Sequence, residues 1–136
     1  MVAIDSSVLM EWEKAGGNSD FLEALDGPFY VPAHAAAEFL TGTHPPVRSD
    51  LRERARQLYE NYIREMVAAF TEPDAAQLAA LNAELRTKGQ VMKFYDAAIA
   101  ATVMRRGDEL LTMDADFDRL KDNLKLLKYP PAQPTS

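Results

Sequence analysis

Short apolar runs and helical stripes of apolar residues alternate along this chain. Apolar runs ended by polar or turn residues predict five strands, over residues 2–4, 29–31, 66–70, 109–112 and 124–127. Apolar residues at helical spacing predict helices that begin near residues 8, 19, 33, 49, 73 and 93, with a short helical turn over 115–120. This alternation favours an α/β fold, a three-layer sandwich in which helices cover both faces of a mainly parallel central sheet.

The length and composition limit the chain to one such domain. Its 136 residues, 47% of them hydrophobic, can form one buried core and are too few for two. We expect this domain to span residues 1–129, followed by a disordered tail over 130–136. No apolar run approaches the roughly 20 residues of a membrane span, and Asp5 comes too early for a signal peptide. We therefore expect a cytoplasmic protein that does not associate with membranes.

The charge distribution excludes nucleic-acid binding through a general excess of positive charge. The net charge is −6, and residues 1–43 hold seven acids against one lysine, so the remainder is neutral overall. Arg48, Arg52 and Arg56 lie four residues apart on a predicted helix. They form either a solvated face paired with the acids at positions 50, 53 and 60, or a strip that holds RNA phosphates.

Four carboxylates occupy positions that are unusual for an acid. Asp5 ends the first strand and Asp114 follows the strand over 109–112 by two residues, so parallel strands bring both to one edge of the sheet. Asp96 lies on the core-facing stripe of its helix, and Glu38 lies on a short alanine-rich helix. Burying unpaired carboxylates is costly, so we expect the four acids to share a cation.

A divalent metal ion is the simplest such cation. The chain has no cysteine and only two histidines, so oxygen ligands select Mg²⁺, with Mn²⁺ as a substitute, over Zn²⁺. Each acid also has a purely structural interpretation. Asp5 could cap a helix, Asp96 could interact with the positive end of its helix, and Glu38 could lie on the surface.

Two further features near these acids are weaker candidates for chemistry. Asp114, Asp116 and Asp118 are spaced like the first ligands of a calcium loop, but Arg119 stands where that loop requires glycine, so we exclude calcium. His34 lies one turn before the candidate glutamate. We interpret it as a surface or hydrogen-bonded histidine rather than a catalytic base.

Four sequence blocks in order carry a resemblance to a known family. They are Ile4-Asp5-Ser6-Ser7-Val8-Leu9, Ala37-Glu38-Phe39-Leu40-Thr41-Gly42, Asp96-Ala97-Ala98-Ile99-Ala100-Ala101-Thr102 and Leu110-Leu111-Thr112-Met113-Asp114-Ala115-Asp116-Phe117. Over nearly its whole length, the sequence resembles the PIN-domain ribonucleases, and in particular the VapC-type toxins of toxin–antitoxin pairs.

The resemblance implies a metal site and a reaction. The expected metal-holding and catalytic acids are Asp5, Glu38, Asp96 and Asp114. Asp116 is an additional acid with an open role, the Ser6 hydroxyl lies close to the metal, and Lys93 either meets the scissile phosphate or pairs with a carboxylate. The implied activity is Mg²⁺-dependent hydrolysis of RNA phosphodiester bonds.

The resemblance also implies partners, namely a second copy of the chain in a homodimer and a small antitoxin. Trp12, Leu22 and Tyr59 are candidate exposed contacts for that antitoxin. Two alternatives stay open: a PIN-fold nuclease of RNA maturation or decay without an antitoxin, and a non-catalytic module that binds RNA or protein. A phosphatase with Asp5 as nucleophile is disfavoured because Ser7 stands where that chemistry needs a second aspartate.

Overall fold

The computed structural model of this chain describes residues 1–131, which form a central sheet flanked by helices. Its strands are β1 (Val2–Ile4), β2 (Phe29–Pro32), β3 (Val67–Ala68), β4 (Glu109–Thr112) and β5 (Lys125–Lys128). The α-helices are α1 (Ser6–Lys14), α2 (Asp20–Glu23), α3 (Ala33–Thr41), α4 (Ser49–Leu58), α5 (Glu72–Thr87) and α6 (Phe94–Arg106). The predicted α/β architecture in a single domain is confirmed. Residues 132–136 of the predicted tail lie outside the described residues, so the boundary at residue 129 stays a prediction.

The strand order places the first strand of the chain at the centre of the sheet. The order is β3-β2-β1-β4-β5, and every neighbouring pair is parallel. Ala3 is registered against Tyr30 on one side and Leu110 on the other. Because the chain winds away from β1 in both directions, the carboxyl end of β1 is the place where such sheets bind ligands.

The edge strand β3 is shorter than the sequence predicts. β3 covers two residues instead of the predicted 66–70, since its partner β2 ends in Pro32, which has no N–H for a further ladder hydrogen bond. The predicted long helix from Ser49 ends as an α-helix at Leu58. It continues as a π-helical turn over Tyr59–Ile63 and a 3₁₀ turn over Arg64–Met66, which lead the chain into β3.

The core is organised by β1 and α6. Ala3 and Ile4 are fully buried in the central strand. Every residue of α6 from Asp96 to Val103 is buried, and its alanines allow the helix to pack closely against α3, α5 and the sheet. Gly107, in the left-handed region at φ +70°, ends this helix.

Trp12 belongs to this core, so its predicted role as an exposed antitoxin contact is wrong. It is 1% exposed, because it follows Val8 and Leu9 on the inward face of α1. Its ring stacks on Phe21, and its Nε1 donates to the carbonyl oxygen of Asn18 at 2.7 Å. Leu22 and Tyr59, the other two candidates, are half-buried. No helix within residues 1–131 has both the length and the apolar character needed to cross a membrane.

Candidate metal centre

The acids singled out by the sequence lie where strands and helices meet at one edge of the sheet. Asp5 directly follows β1, and its backbone N–H donates to the carbonyl of Leu111 in β4 at 3.0 Å. Asp114 follows β4 by two residues. Asp96 stands in the first turn of α6, and α3 contributes Glu38.

Asp5 is held by two hydroxyl groups. Its Oδ2 accepts hydrogen bonds from Ser7 Oγ and from Thr112 Oγ1, both at 2.8 Å. Its Oδ1 is buried and has no hydrogen-bond partner among residues 1–131. Although Asp5 stands at the N-cap position of α1, its side chain makes no capping hydrogen bond, so the helix-cap interpretation is wrong. The two hydroxyls instead fix the carboxylate and leave one buried oxygen available.

The same hydroxyls connect Asp5 to the loop that follows β4. Thr112 Oγ1 accepts from the backbone N–H of Asp114 at 2.9 Å, and Ser7 Oγ accepts from that of Met113 at 3.0 Å. Sequence reasoning missed these roles of Ser7 and Thr112. The available signal was their position, two residues after one strand-end acid and two residues before the other.

Three carboxylates form the tightest part of the site. Asp96, Asp114 and Asp116 each offer an oxygen, and these oxygens lie within 4.8 Å of one another. Asp96 is 7% exposed, Asp114 is half-buried and Asp116 is exposed. Asp114 Oδ1 also accepts from the backbone N–H of Asp116 at 2.8 Å, which caps the 3₁₀ helix over Ala115–Leu120. Asp114 and Asp116 therefore both lie beside Asp96.

Glu38 joins the group through the serine that follows Asp5. Its Oε1 accepts from Ser6 Oγ at 3.0 Å. Burial raises the pKa of Glu38 above its usual value, and the charges of Asp5 and Asp114 raise it further, against the lowering effects of the Ser6 hydrogen bond and Lys93. The pKa of the half-buried Glu38 therefore depends on the neighbouring acids, so Glu38 belongs to this group and is not an isolated surface residue.

Asp96 carries the clearest electrostatic strain. Burial, followed by the negative charges of Asp114, Asp5 and Glu38, raises the pKa of Asp96 to about 6, although Lys93 opposes this. Four acids therefore act on one another in a poorly solvated pocket, and Lys93 is the cation that lowers the pKa of two of them.

These residues fit a divalent cation. The unpartnered buried Oδ1 of Asp5 and the three converging carboxylates supply several oxygen donors of the type preferred by Mg²⁺ and Mn²⁺. Positive charge at this place would offset the mutual repulsion that raises the pKa of Asp96.

The candidate arginines lie on an exposed face. Arg48 pairs with Asp50, with its Nε 2.6 Å from Oδ1, and Arg56 pairs with Glu53. These contacts favour the ion-pair interpretation for both arginines. Arg52 lines a shallow polar groove with Ser49 and Arg56.

His34 is partly exposed and packs among aromatic rings, a feature that the interpretation as a surface or hydrogen-bonded histidine did not include. Its ring is half-buried and packs against Phe70, Phe94 and Tyr95, with centroids 4.6, 5.5 and 5.9 Å away. Its Nδ1 is buried without a partner in the described part of the chain, and burial lowers its pKa. This cluster could not be recognised from the sequence, because its members come from three separate segments of the chain.

Comparison with known proteins assigns the chain to a family. The model of the PIN domain matches residues 2–123, and the chain therefore belongs to the PIN domain family. A comparison with curated proteins finds no match to this sequence.

Solved structures of toxin–antitoxin proteins share the fold. A chain of the DNA-bound VapBC from Salmonella typhimurium superposes with a TM-score of 0.78 at 18% identity, covering 93% of this chain and 96% of that one. A chain of VapBC-5 from Mycobacterium tuberculosis, a member of the VapBC family of toxin–antitoxin systems, superposes with a TM-score of 0.72 at 21% identity. The match covers 93% of this chain and 94% of that one. A chain of VapBC2 from Rickettsia felis, bound to a promoter DNA fragment, superposes with a TM-score of 0.74 at 14% identity. The match covers 95% of this chain and 99% of that one.

Proposed function

We propose that this protein is a Mg²⁺-dependent endoribonuclease that acts as the toxin of a type II toxin–antitoxin system. The observation that carries the proposal is the convergence of three carboxylates, those of Asp96, Asp114 and Asp116, whose oxygens lie within 4.8 Å of one another. The nearby charges of Asp5 and Glu38 help to raise the pKa of Asp96 to about 6. Such a cluster is the usual means of holding Mg²⁺ beside a phosphodiester. Membership of the PIN domain family supports the same reaction class.

In this proposal, Asp96, Asp114, Asp116 and the free Oδ1 of Asp5 hold the metal, with Glu38 as a further acid of the site. A bound Mg²⁺ supplies positive charge that polarises the phosphate and lowers the pKa of water.

Neighbouring side chains keep these acids in place. Thr112 and Ser7 hold the Asp5 carboxylate in one orientation, and Ser6 does the same for Glu38. Lys93 is placed to meet a phosphate oxygen of the substrate, because its charge already acts on both Asp96 and Glu38. We assign Arg48 and Arg52 to more distant RNA phosphates, for which the Arg48–Asp50 ion pair would have to open.

Cleavage of single-stranded RNA oligonucleotides tests the reaction. We expect cleavage with Mg²⁺ or Mn²⁺, none with EDTA, and losses of more than about 100-fold for Asp5→Asn and Asp96→Asn. Asp122→Asn, which removes an exposed acid outside the site, is the matched control and is expected to cleave normally. Unchanged cleavage by both site variants, or by the wild type in EDTA, would refute the proposal.

The antitoxin part of the proposal rests on the shared fold and on charge. The structural neighbours are VapBC complexes, and residues 1–43 carry seven acids against one base, which suits a basic antitoxin segment. Half-buried Leu22 and Tyr59 are the remaining candidate contacts, and we also propose a homodimer. Expression alone should arrest growth, and co-expression of the neighbouring gene product should relieve the arrest. A nuclease of RNA maturation would cleave RNA without this rescue.

A further inference from the structure

Beside the acids lies a cluster of four aromatic rings that the proposed metal chemistry does not use. We name this cluster the aromatic rim: His34, Phe70, Phe94 and Tyr95. His34 makes edge-to-face contacts with Phe70 and Phe94, at interplanar angles of 78° and 72°, and Phe94 meets Tyr95 at 67°. Three segments of the chain supply these rings: α3, the residues after β3, and the start of α6.

The aromatic rim adjoins the acid site along α3 and at the start of α6. Tyr95 immediately precedes Asp96, and His34 lies one turn before Glu38 on α3. Lys93, which acts electrostatically on both of these acids, is exposed and directly precedes Phe94. A phosphodiester at the acids would therefore lie next to these rings.

The rings of α6 are open to a ligand. Phe94 is 62% exposed and Tyr95 is 43% exposed, even though both contact His34. Near-perpendicular packing joins the edge of one ring to the face of another, so a ring held in this way can keep much of its own surface free. Exposing two large aromatic side chains at the first turn of a buried helix does not serve the core.

We propose that the aromatic rim, through Phe94 and Tyr95, stacks an unpaired base of the RNA next to the scissile phosphate. The inference rests on the proposed function, since it names the part of the substrate that lies beside the acids. Proteins that bind single-stranded nucleic acid combine a cation for the backbone with rings for the bases, and Lys93-Phe94-Tyr95 has this composition. A base in a duplex is already stacked on both sides, so the rim selects single-stranded RNA.

The observations favour a base over a protein partner at this place. When a phosphate is held at the acids, as the proposed function requires, the neighbouring nucleotide of the same strand is brought to the rim with it. The lowered pKa of His34 leaves its ring neutral near pH 7, so the rim is an apolar aromatic surface rather than a cationic one.

The test uses single-stranded RNA oligonucleotides that contain one bond cut by the wild-type protein. Replacing one nucleotide at a time with an abasic sugar should lower kcat/KM about tenfold at a position flanking that bond, and much less elsewhere. Phe94→Ala should raise KM about tenfold for the intact RNA, leave kcat within about twofold, and remove most of the effect of the abasic sugar.

Two variants serve as controls. Phe94→Trp retains an aromatic face and should restore the dependence on the flanking base. Leu127→Ala removes an exposed apolar side chain from a different groove, one that it lines with Val2 and Phe29, and should leave the kinetics unchanged.

A second readout does not depend on cleavage. The base analogue 2-aminopurine is placed at the sensitive position of the RNA and bound to the Asp96→Asn variant, which should not cut it. Its fluorescence should fall when it stacks on the aromatic rim, and adding Phe94→Ala to this variant should abolish the fall.

Cleavage that does not depend on any flanking base would overturn the inference and leave the nuclease proposal standing. Quenching by the Asp96→Asn variant, together with no cleavage by the wild-type protein, would overturn the nuclease proposal and support the aromatic contact. If Phe94→Ala alters neither RNA measurement but weakens binding of a co-expressed partner, the rim is a protein-docking surface and the inference is wrong.

Discussion

Replacing Asp96 with asparagine should stabilise the metal-free protein while it abolishes the proposed RNA cleavage. The carboxylate is 7% exposed, and burial together with Asp114, Asp5 and Glu38 raises its pKa from 3.8 to about 6. That change corresponds to about 3 kcal/mol of unfavourable free energy once Asp96 is ionised in both the folded and the unfolded state. Asparagine resembles the protonated carboxyl and avoids this cost. It also loses an interaction with the N-terminus of α6 of about 0.3–1 kcal/mol, so we expect a net gain near 2 kcal/mol at about pH 8.

The sign of the pH dependence follows from the raised pKa. The folded protein holds a proton on Asp96 that the unfolded chain has released, so the stability of the wild type falls as the pH rises from 3.8 to about 6. The advantage of Asp96→Asn should therefore be largest above pH 6 and shrink as the pH is lowered toward 4. Urea unfolding in EDTA at several pH values measures the free energy of unfolding directly.

Metal addition provides a second check on the same variant. Mg²⁺ or Mn²⁺ should raise the stability of the wild type and remove its disadvantage, whereas Asp96→Asn should respond weakly. Asp122→Asn, the control at an exposed acid, should follow the wild type throughout. If Asp96→Asn in EDTA is less stable than the wild type at about pH 8, the repulsion deduced from the raised pKa does not exist.

Three further changes test other parts of the structure. Thr112→Val removes the hydroxyl that joins Asp5 to the Asp114 backbone, and we expect Mn²⁺ affinity, measured by calorimetry, to fall about 10–100-fold with the fold retained. Arg105→Met removes the guanidinium whose Nε lies 2.5 Å from Oδ1 of the fully buried Asp74. It should lower the free energy of unfolding, measured in urea, by about 2 kcal/mol. Burial alone would raise the pKa of Asp74, but hydrogen bonds from Arg105 and Thr71 hold it below 3.8, so this loss should disappear as the pH falls below that value. Trp12→Ala, which empties a core position, should cost about 3–5 kcal/mol, and a cost near zero would mean that Trp12 is exposed after all.

The fold was predictable because its main elements have strong local signals. β1, β2 and β4 are apolar runs with clear polar ends, and α6 combines helix-forming alanines with a glycine stop. The error at β3 has a different origin, since the length of an edge strand depends on its partner, and Pro32 in β2 limits the pairing. Trp12 was misjudged because a single aromatic residue on a short helix does not show which face the neighbouring elements will cover.

The position of the acids could be predicted from the topology of the sheet. The side chains that hold the acids in place could not. Parallel strands bring their carboxyl ends together, so Asp5 and Asp114 could be paired without any coordinates. The hydroxyl contacts of Ser7 and Thr112 depend on rotamers, which the spacing of residues does not specify. The aromatic rim depends on how α3 and the start of α6 approach each other, and that approach is a property of the packed core.

The central place of β1 has a consequence for how the protein becomes active during synthesis. Thr112 holds Asp5 across 107 positions of sequence, and the acids of the last loop follow still later. A growing chain therefore carries Asp5 early but cannot complete the cluster until the segment that contains Asp114 and Asp116 has been synthesised and has left the ribosome. Translation ended early by a nonsense codon before Asp114 would release a fragment without the full set of carboxylates. Such a fragment could not assemble the proposed metal site.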